Sequence, residues 1–308
     1  MQNSSEVRGG LAISFILLIL SKPLCSLRPL RFKLGLIFSC VPAFISDLKM
    51  HFRNLVREIR ESLAGVERTI KDYEIDFLAL IAAYPATGGC VLEIGAFKGA
   101  STIVLSKAAR AAGDDHIWTV DPFTNPCETD LPEGTCYHEF QNNLQRAGME
   151  TFVKVFKGLS QDLAKEWREP IRVLWIDGDH RYAATKHDFE LFRPFLADGA
   201  LVAFHDVLGW QPGPCRVFAN DVLGSEDFSA CGLSGTIGWA QFVKDRQVPA
   251  RHSQTKAKLR RALAPQISAT APSMPVSRIA RWRQLLLRNR HRQSLSPKQF
   301  LQRVEVLR

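Results

Sequence analysis

Two short polar motifs carry side chains that can transfer protons or bind metal ions. Asp177–His180 and His205–Asp206 each follow an apolar stretch of the chain. Two acids and a histidine at neighbouring strand ends could hold a hard divalent cation, with water completing its ligand shell. Either histidine could instead act as a base near neutral pH, and a purely structural role, such as helix capping by Asp179, is also open. The candidate catalytic residues are His180, His205 and Asp177, and the candidate metal ligands are Asp177, His205 and Asp206.

A glycine-rich turn lies upstream of these motifs. It places Gly95 and Gly99 around Phe97, directly after Glu93. Glycines allow a tight turn and a close approach of backbone to ligand, and a helix beginning at Ser101 offers unpaired N–H groups to an anionic group. The spacing matches neither the nicotinamide fingerprint nor a P-loop. A carboxylate at the strand end suits the ammonium of an amino acid and would repel a pyrophosphate.

Two further positions follow predicted strands. Asp121 lies where an acid commonly accepts hydrogen bonds from ribose hydroxyls, although Asp121-Pro122 could simply begin a turn. Ser160 and Gln161 follow the next strand, where Ser160 could cap a helix, contact an adenine, or do both. These positions predict a nucleotide-like ligand whose sugar lies near Asp121.

The elements that must position these residues alternate along the chain. Short apolar stretches predict strands at 90–94, 116–120, 153–156, 173–176 and 201–204, with one or two more at 236–243. Helical patterns fall at 45–63, 75–83, 101–112, 141–147, 160–167, 183–195 and 215–223. The alternation predicts an α/β fold with a doubly wound, mainly parallel sheet and helices on both faces. In such sheets ligands bind at the carboxyl ends of the strands.

With these motifs in place, residues 75–243 resemble the class I S-adenosylmethionine-dependent methyltransferases. The closest branch contains catechol O-methyltransferase, caffeoyl-CoA O-methyltransferase and bacterial sugar O-methyltransferases of macrolide pathways. The segments that carry the resemblance are Glu93–Ser101, Thr119–Asp121, Gly158–Asp162, Ile176–Tyr182 and Phe204–Asp206. The resemblance implies a Rossmann-like sheet of seven strands, preceded by N-terminal helices, and S-adenosylmethionine as the cofactor.

The resemblance also implies roles for individual residues. Glu93, Gly95 and Ser101 would face the methionine part of the cofactor, Asp121 the ribose, and Ser160 with Gln161 the adenine. The full set of expected cofactor-binding residues is Glu93, Gly95, Phe97, Gly99, Ser101, Asp121, Ser160, Gln161 and Asp177. Asp177 and Asp206 fall where this branch places metal-binding carboxylates.

This chain departs from that branch at two positions. His205-Asp206 stands where catechol O-methyltransferase has Asp-Asn, and His180 stands in place of a catalytic lysine. Mg²⁺ dependence and the identity of the base are therefore open.

We expect methylation of a hydroxyl of a small molecule, such as a sugar or a polyketide-derived compound. The alternatives are a cephalosporin-hydroxylase-like protein, aminopropyl transfer, for which no set of polyamine-binding acids is found, and a non-catalytic membrane-associated protein.

The distribution of charge limits the partners. The net charge of +9 comes from the two ends, because residues 61–250 are acidic overall. An acidic centre argues against nucleic-acid binding by the core domain. The basic termini could still contact an anionic membrane, and an oligomer is possible. We expect a cytoplasmic enzyme, with peripheral membrane attachment as an open alternative.

The two ends divide the chain into three predicted parts. Residues 1–45 form an apolar and basic extension, whose apolar stretches at 11–20 and 34–45 are too short to span a bilayer. They could be an interfacial anchor, a degenerate signal or sequence added by an upstream start codon. Residues 46–245 form the catalytic domain. Residues 246–308 form a basic, partly disordered tail, with a linker over 254–277 and a short amphipathic helix as one interpretation of 278–292.

The seven cysteines indicate no disulfide framework and no zinc site. None lies in a C-x-x-C pair, and their number is odd. Cys127 and Cys136 could form a disulfide, but two free thiols in a reducing compartment are the favoured interpretation.

Overall fold

The computed structural model describes residues 49–124, 135–209, 211–244, 247, 249–268, 278–291 and 295–304. The predicted N-terminal extension lies outside these residues, as does Cys127. Cys136 is buried. Within the described part of the chain, no helix combines the length and the apolar character needed to cross a membrane.

A seven-stranded sheet with helices on both faces forms the core, as predicted. Its order is β3-β2-β1-β4-β5-β7-β6. The strands are β1 Cys90–Ile94, β2 Ile117–Asp121, β3 Val153–Lys157, β4 Ile171–Ile176, β5 Leu196–Phe204, β6 Phe228–Ser234 and β7 Ile237–Phe242. Strands β1 to β5 are parallel, and β7 runs antiparallel to both β5 and β6.

Helices connect these strands and extend from both ends of the sheet. Residues 49–62 are helical and are called α1 here. The helices that follow are α2 Asp72–Ala83, α3 Ala100–Ala111, α4 Thr135–Ala147, α5 Ser160–Glu166, α6 Tyr182–Phe192, α7 Pro212–Val217, α8 Ala250–Ser268, α9 Arg278–Arg290 and α10 Pro297–Leu301. A 3₁₀ turn, Arg193–Phe195, follows α6, and a π-helical turn, Phe218–Val222, follows α7.

Both faces of the sheet are buried. Val91 and Trp175 belong to the apolar cluster on one face, and Leu92 and Leu174 belong to the cluster on the other. All residues of β1 and β4 are buried. Parallel strands covered on both faces have continuous apolar sequences rather than alternating ones, which is why these strands could be predicted from short apolar stretches.

Strand β5 begins five residues earlier than predicted. Its pairing with β4 is irregular, because Leu196 pairs with Ile171 whereas Leu201 pairs with Val173. Gly199 has a φ of +90° within this irregular stretch. Asp198 and Gly199 therefore lie inside the strand, between the predicted helix at 183–195 and the predicted start of the strand at residue 201.

Strand β6 was missed by the sequence analysis because small residues dominate it. A Cβ added at Gly232 would lie 2.8 Å from the indole nitrogen of Trp239 on β7. Close packing of the two antiparallel strands therefore requires a small residue there. As a result, Phe228–Ser234 contains none of the β-branched residues that usually identify a strand in a sequence.

The predicted linker at 254–277 is wrong for residues 254–268, which belong to α8. Leu263 of this helix is fully buried, and the Lys256 ammonium donates a hydrogen bond to the Phe228 carbonyl at 2.8 Å. Tertiary packing therefore stabilises a helix whose Ala, Ser and Lys content is also typical of linkers. Farther along, Phe300 is buried with its ring 6.0 Å from that of Trp239, so part of the predicted tail packs on the core.

Candidate active site

The glycine turn joins the end of β1 to the second polar motif. Gly95 has a φ of +87°, and a Cβ there would overlap the backbone carbonyl of Asp177. Gly99, with a φ of +88°, is the N-cap of α3. Phe97 also has a positive φ, of 48°. The turn can therefore lie directly against the start of the Asp177–His180 motif, which brings the two predicted ligand-binding segments together.

Asp121 holds this turn in place. Its Oδ2 accepts hydrogen bonds from the backbone N–H groups of Ala96, at 2.7 Å, and Phe97, at 3.0 Å. Its Oδ1 accepts one from Phe123 at 2.6 Å. A carboxylate offers about four acceptor positions, so one remains for another donor. The turn role of Asp121 is thus observed, and the ribose contact remains a prediction.

Glu93 is a fully buried carboxyl group. Its Oε2 accepts a hydrogen bond from the Thr102 hydroxyl at 2.5 Å, whereas its Oε1 has no hydrogen-bond partner among the described residues. Burial raises the pKa of Glu93 to about 7, although the neighbouring hydroxyl groups of Ser101, Thr102 and Thr119 oppose the rise. Ser101, on the same first turn of α3, is also buried. A buried oxygen without a partner is a position where a ligand donor, such as an ammonium, would be stabilised.

Ser160 and Gln161 begin α5, the helix that follows β3. The N-cap of α5 is Leu159, so the alternative in which Ser160 caps the helix is wrong. The Ser160 hydroxyl instead donates to Asp188 Oδ1 at 2.5 Å, and Gln161 is exposed. Asp188, a buried acid on α6, was missed by the sequence analysis because nothing in its spacing connects it with Ser160.

Asp177 lies between two histidines. Its Oδ1 is 2.9 Å from Nδ1 of His205 and 3.4 Å from Nε2 of His180. Asp206, whose backbone has a φ of +51°, places its Oδ2 at 3.8 Å from Nδ1 of His180 and 4.0 Å from Nδ1 of His205. The structure therefore brings all four of these predicted side chains together at one edge of the sheet.

A fifth ionisable group, Glu74, was not predicted. It comes from α2, is buried, and places its Oε2 at 3.7 Å from Nε2 of His205. Its carboxylate accepts hydrogen bonds from the backbone and hydroxyl of Thr236, at 2.8 and 2.6 Å, and from the Lys71 backbone at 2.8 Å. The sequence gives one indication of this role, because Glu74 is an acid next to the apolar residues of α2.

These contacts give the two histidines different properties. Burial lowers the pKa of His205, but the charge of Asp177 and hydrogen bonding outweigh it, and the pKa lies well above its usual value. A protonated imidazole has no lone pair, so this environment disfavours His205 as a base. His180 is more exposed, and its pKa is raised because its hydrogen bond with Asp177 outweighs the effect of burial.

The donor atoms do not fit the predicted Mg²⁺ site. The ligand atoms of Asp177, His180 and His205 lie within 4.8 Å of one another, which is a set of one oxygen and two nitrogens. Mg²⁺ prefers oxygen ligands in octahedral geometry, and imidazole suits softer transition metals. Asp206, the predicted third ligand, is outside this set. His180 takes its place.

Comparison with known proteins identifies the domain. Residues 92–207 match the family model described as Methyltransferase domain. This part of the chain, from the third residue of β1 to just past β5, is therefore similar to a methyltransferase domain. This confirms the resemblance seen in the sequence. The matched segment contains Glu93, Asp121, the two histidines and their neighbouring acids, whereas Glu74 lies before it.

The chain is similar to several solved methyltransferases. An O-methyltransferase from Bacillus cereus, in complex with SAH, is 18% identical, with 62% of this chain and 91% of that chain covered and a TM-score of 0.47. An O-methyltransferase from Streptomyces achromogenes involved in tomaymycin synthesis, in complex with SAM, is 19% identical, with 63% and 89% covered and a TM-score of 0.46. A putative O-methyltransferase from Klebsiella pneumoniae is 17% identical, with 63% and 90% covered and a TM-score of 0.47.

Proposed function

We propose that this methyltransferase domain uses S-adenosylmethionine to methylate a hydroxyl group of a small molecule. The observation that carries the proposal is the meeting of two units at one sheet edge. One unit is the buried Glu93 carboxyl beside the glycine turn, and the other is the Asp177–His180 pair. Because the Gly95 backbone packs against Asp177, a ligand held by the turn would lie beside an imidazole.

The first unit suits the amino-acid end of the cofactor. The unpartnered Glu93 Oε1 offers an acceptor to an ammonium, and the backbone N–H groups at the start of α3 offer donors to a carboxylate. Asp121 retains acceptor capacity for a ribose hydroxyl. When bound, S-adenosylmethionine supplies a methyl group activated by its positively charged sulfur.

The second unit suits removal of a proton from the acceptor. Because His180 Nε2 faces Asp177 Oδ1 at 3.4 Å, we assign the imidazole proton to Nε2 and the free lone pair to Nδ1. Nδ1 would take the hydroxyl proton, and Asp206, 3.8 Å away, would stabilise the resulting cation. His205, held as a cation, keeps Asp177 ionised. The donor set of one oxygen and two nitrogens does not fit Mg²⁺, so the proposed proton transfer uses side chains alone.

Calorimetry with S-adenosylhomocysteine tests the cofactor part. We expect the full chain to bind it, and Glu93→Gln to bind it at least tenfold more weakly, because a neutral amide replaces the charge that pairs with the ammonium. Glu61→Gln, an exposed acid on α1, is the matched control. A wild-type protein that shows no heat of binding would refute the cofactor assignment. A panel of hydroxyl compounds with methyl-labelled S-adenosylmethionine then tests the transfer itself.

One alternative has a specific observation in its favour. The alternative is an oxygenase, because two histidines and one carboxylate, as in Asp177, His180 and His205, form the ligand set of non-haem Fe(II) oxygenases. The protonated state favoured for His205 opposes metal binding there. Anaerobic titration with Fe²⁺ separates the two functions, because tight binding that His180→Ala abolishes would support the oxygenase and not the transferase.

We further propose that an anionic membrane surface is a partner, through α9. This helix has five arginines and no acid, and it exposes Trp282, Leu285 and Leu286 by 69%, 52% and 50%. These positions share one face at helical spacing. A basic helix with an exposed apolar face that includes tryptophan is typical of helices that lie in the membrane interface.

A further inference from the structure

A cavity outside the strand-end cluster has no role in the proposed transfer. Its volume is about 550 Å³, within the range of small-molecule sites. It is an open cavity at the start of α2, where Arg68, Lys71 and Asp72 are exposed, and Arg288 of α9 lies on one side of it. The residues that line it are Arg68, Ile70, Lys71, Asp72, Tyr73 and Arg288.

The lining is strongly cationic. Arg68 pairs with Asp72 at 3.0 Å, but the Asp72 side chain is 65% exposed, so water weakens that pair. Among the described residues, Lys71 and Arg288 have no acidic partner within ion-pair distance, and the buried Nε of Arg288 has no hydrogen-bond partner. A buried guanidinium nitrogen without an acceptor is costly, and an anion in the cavity would supply the acceptor.

The position of Arg288 is fixed by the fold rather than by its own contacts. The carbonyl of His291, one turn farther along, accepts a hydrogen bond from the Gly235 N–H at 2.8 Å. This bond ties the end of α9 to the turn between β6 and β7. Burial lowers the pKa of His291, and the charges of Arg303 and Arg290 lower it further. Arg290 and Arg303 thus add positive charge close to this end of α9.

The cavity also adjoins the catalytic edge of the sheet. The backbone N–H of Lys71 donates to Glu74 Oε2 at 2.8 Å, and the same oxygen lies 3.7 Å from His205 Nε2. A group held between Lys71 and Arg288 would thus be separated from the histidine cluster by the Glu74 side chain.

We propose that this cavity binds a phosphate or carboxylate group of the acceptor molecule. That the bound group belongs to a methyl acceptor rests on the proposed transferase function. Whether the cavity binds an anion can be tested separately. Such a site narrows the substrate class from any small hydroxyl compound to one that carries an anionic group.

Inorganic phosphate is the probe for the site. We expect the full chain to bind it saturably, as measured by calorimetry at constant ionic strength, and Lys71→Gln and Arg288→Gln each to weaken binding about tenfold by removing a charged donor. Lys258→Gln and Arg260→Gln, two exposed cations on α8, are the matched controls and should bind as the wild type does. Absence of saturable binding, or equal binding by all four variants, would overturn the proposal.

Two further measurements distinguish an acceptor site from the cofactor site and from a lipid-binding site. Binding of S-adenosylhomocysteine should be unchanged in Lys71→Gln, and phosphate should still bind when that compound is saturating. Loss of phosphate binding under those conditions would place the anion in the cofactor site and overturn the inference. If wild type binds phosphate but not S-adenosylhomocysteine, the cofactor assignment fails while the anion site stands. If Lys71→Gln abolishes binding to phosphatidylglycerol vesicles, the cavity holds a lipid headgroup and the acceptor assignment is wrong.

Discussion

The Glu74 carboxylate lies 3.7 Å from Nε2 of His205, while Asp177 lies 2.9 Å from the other ring nitrogen of the same histidine. One imidazole is thus held between two buried acids from different parts of the chain. Burial raises the pKa of Glu74, but His205 and the hydrogen bonds from Thr236 and Lys71 outweigh it and lower the pKa. The three groups form a buried carboxylate–imidazolium–carboxylate row.

We expect Glu74→Gln to lower the pKa of His205, because one of the two charges that stabilise the imidazolium is removed. The histidine ¹⁵N chemical shifts, followed as a function of pH, report this directly. The substitution should also destabilise the protein by about 1–3 kcal/mol, since both Thr236 donors lose their charged acceptor. Glu61→Gln should change neither quantity. An unchanged His205 titration in Glu74→Gln would contradict the buried row.

His180 should control the acid side of the activity profile. It must be neutral to accept a proton, so kcat falls as the pH drops below the pKa of His180. Because that pKa is raised, the fall should begin above pH 6.5, the usual value for histidine. His180→Gln should lower kcat by about 10²–10⁴-fold, the usual contribution of a general base. The measurement is kcat against pH with an acceptor found in the hydroxyl panel.

Asp206→Asn refines this test, since it removes a charge that raises the pKa of His180 without removing the base. The acid limb of the profile should move to lower pH, whereas Asp115→Asn, an exposed acid far from the site, should leave it in place. A profile that does not respond to Asp206→Asn would show that another group titrates.

The sequence predicts the strand-end residues well because one rule governs them all. The carboxyl ends of parallel strands meet at a single edge, so Glu93, Asp121, Asp177 and His205 could be grouped without knowing any distance. The rule is silent about Glu74, because α2 precedes the first strand and reaches the site only by packing. Pairings such as Ser160 with Asp188 depend on side-chain direction, which spacing along the chain does not determine.

Other features were missed for energetic reasons. The small residues of β6 allow it to pack closely against Trp239, but they have little intrinsic preference for strands. The Ala, Ser and Lys content of α8 is as typical of linkers as of helices. Burial of Leu263 and Lys256 against the core stabilises the helix. In both cases tertiary contacts outweigh local preference, and a single sequence contains no direct record of those contacts.

Glu93 should make the stability of the protein depend on pH. Its pKa rises from 4.5 to about 7 on burial, so the folded state binds more protons than the unfolded state between these values. Stability therefore falls as the pH rises through this window, by about 3 kcal/mol in total. Chemical denaturation at pH 5 and pH 8 measures the loss. Glu93→Gln, which stays neutral, should lack this component and be the more stable protein at pH 8. Parallel losses in both proteins would contradict the buried carboxyl.

Removal of divalent cations should leave the enzyme active. Two of the three clustered donor atoms are imidazole nitrogens, and the environment of His205 favours its protonated form, so Mg²⁺ has no suitable site there. Dialysis against EDTA should not change kcat, and millimolar MgCl₂ should not raise the melting temperature as a specific ligand would. A loss of activity that Mg²⁺ restores would mean that the acids rearrange around the ion.

Helix α9 should bind anionic vesicles through its outer face. The apolar stripe at 282, 285 and 286 and the basic residues act together, because apolar contact gives affinity and the arginines select anionic lipid. Trp282→Ser combined with Leu286→Ser should lower the partition coefficient for phosphatidylglycerol vesicles at least tenfold, given about 25 cal/mol for each Å² of apolar surface removed. Leu159→Ser, another exposed leucine, is the matched control.

The vesicle measurement also distinguishes the membrane from other occupants of this face. Binding should weaken with added salt and be absent for phosphatidylcholine alone, since uncharged lipid lacks the attraction for arginine. If the double variant instead changes the oligomeric state in sedimentation, a second copy of the chain covers the stripe. Unchanged vesicle binding in the double variant would place any membrane contact elsewhere in the chain, and α9 would then serve only to hold Arg288 at the cavity.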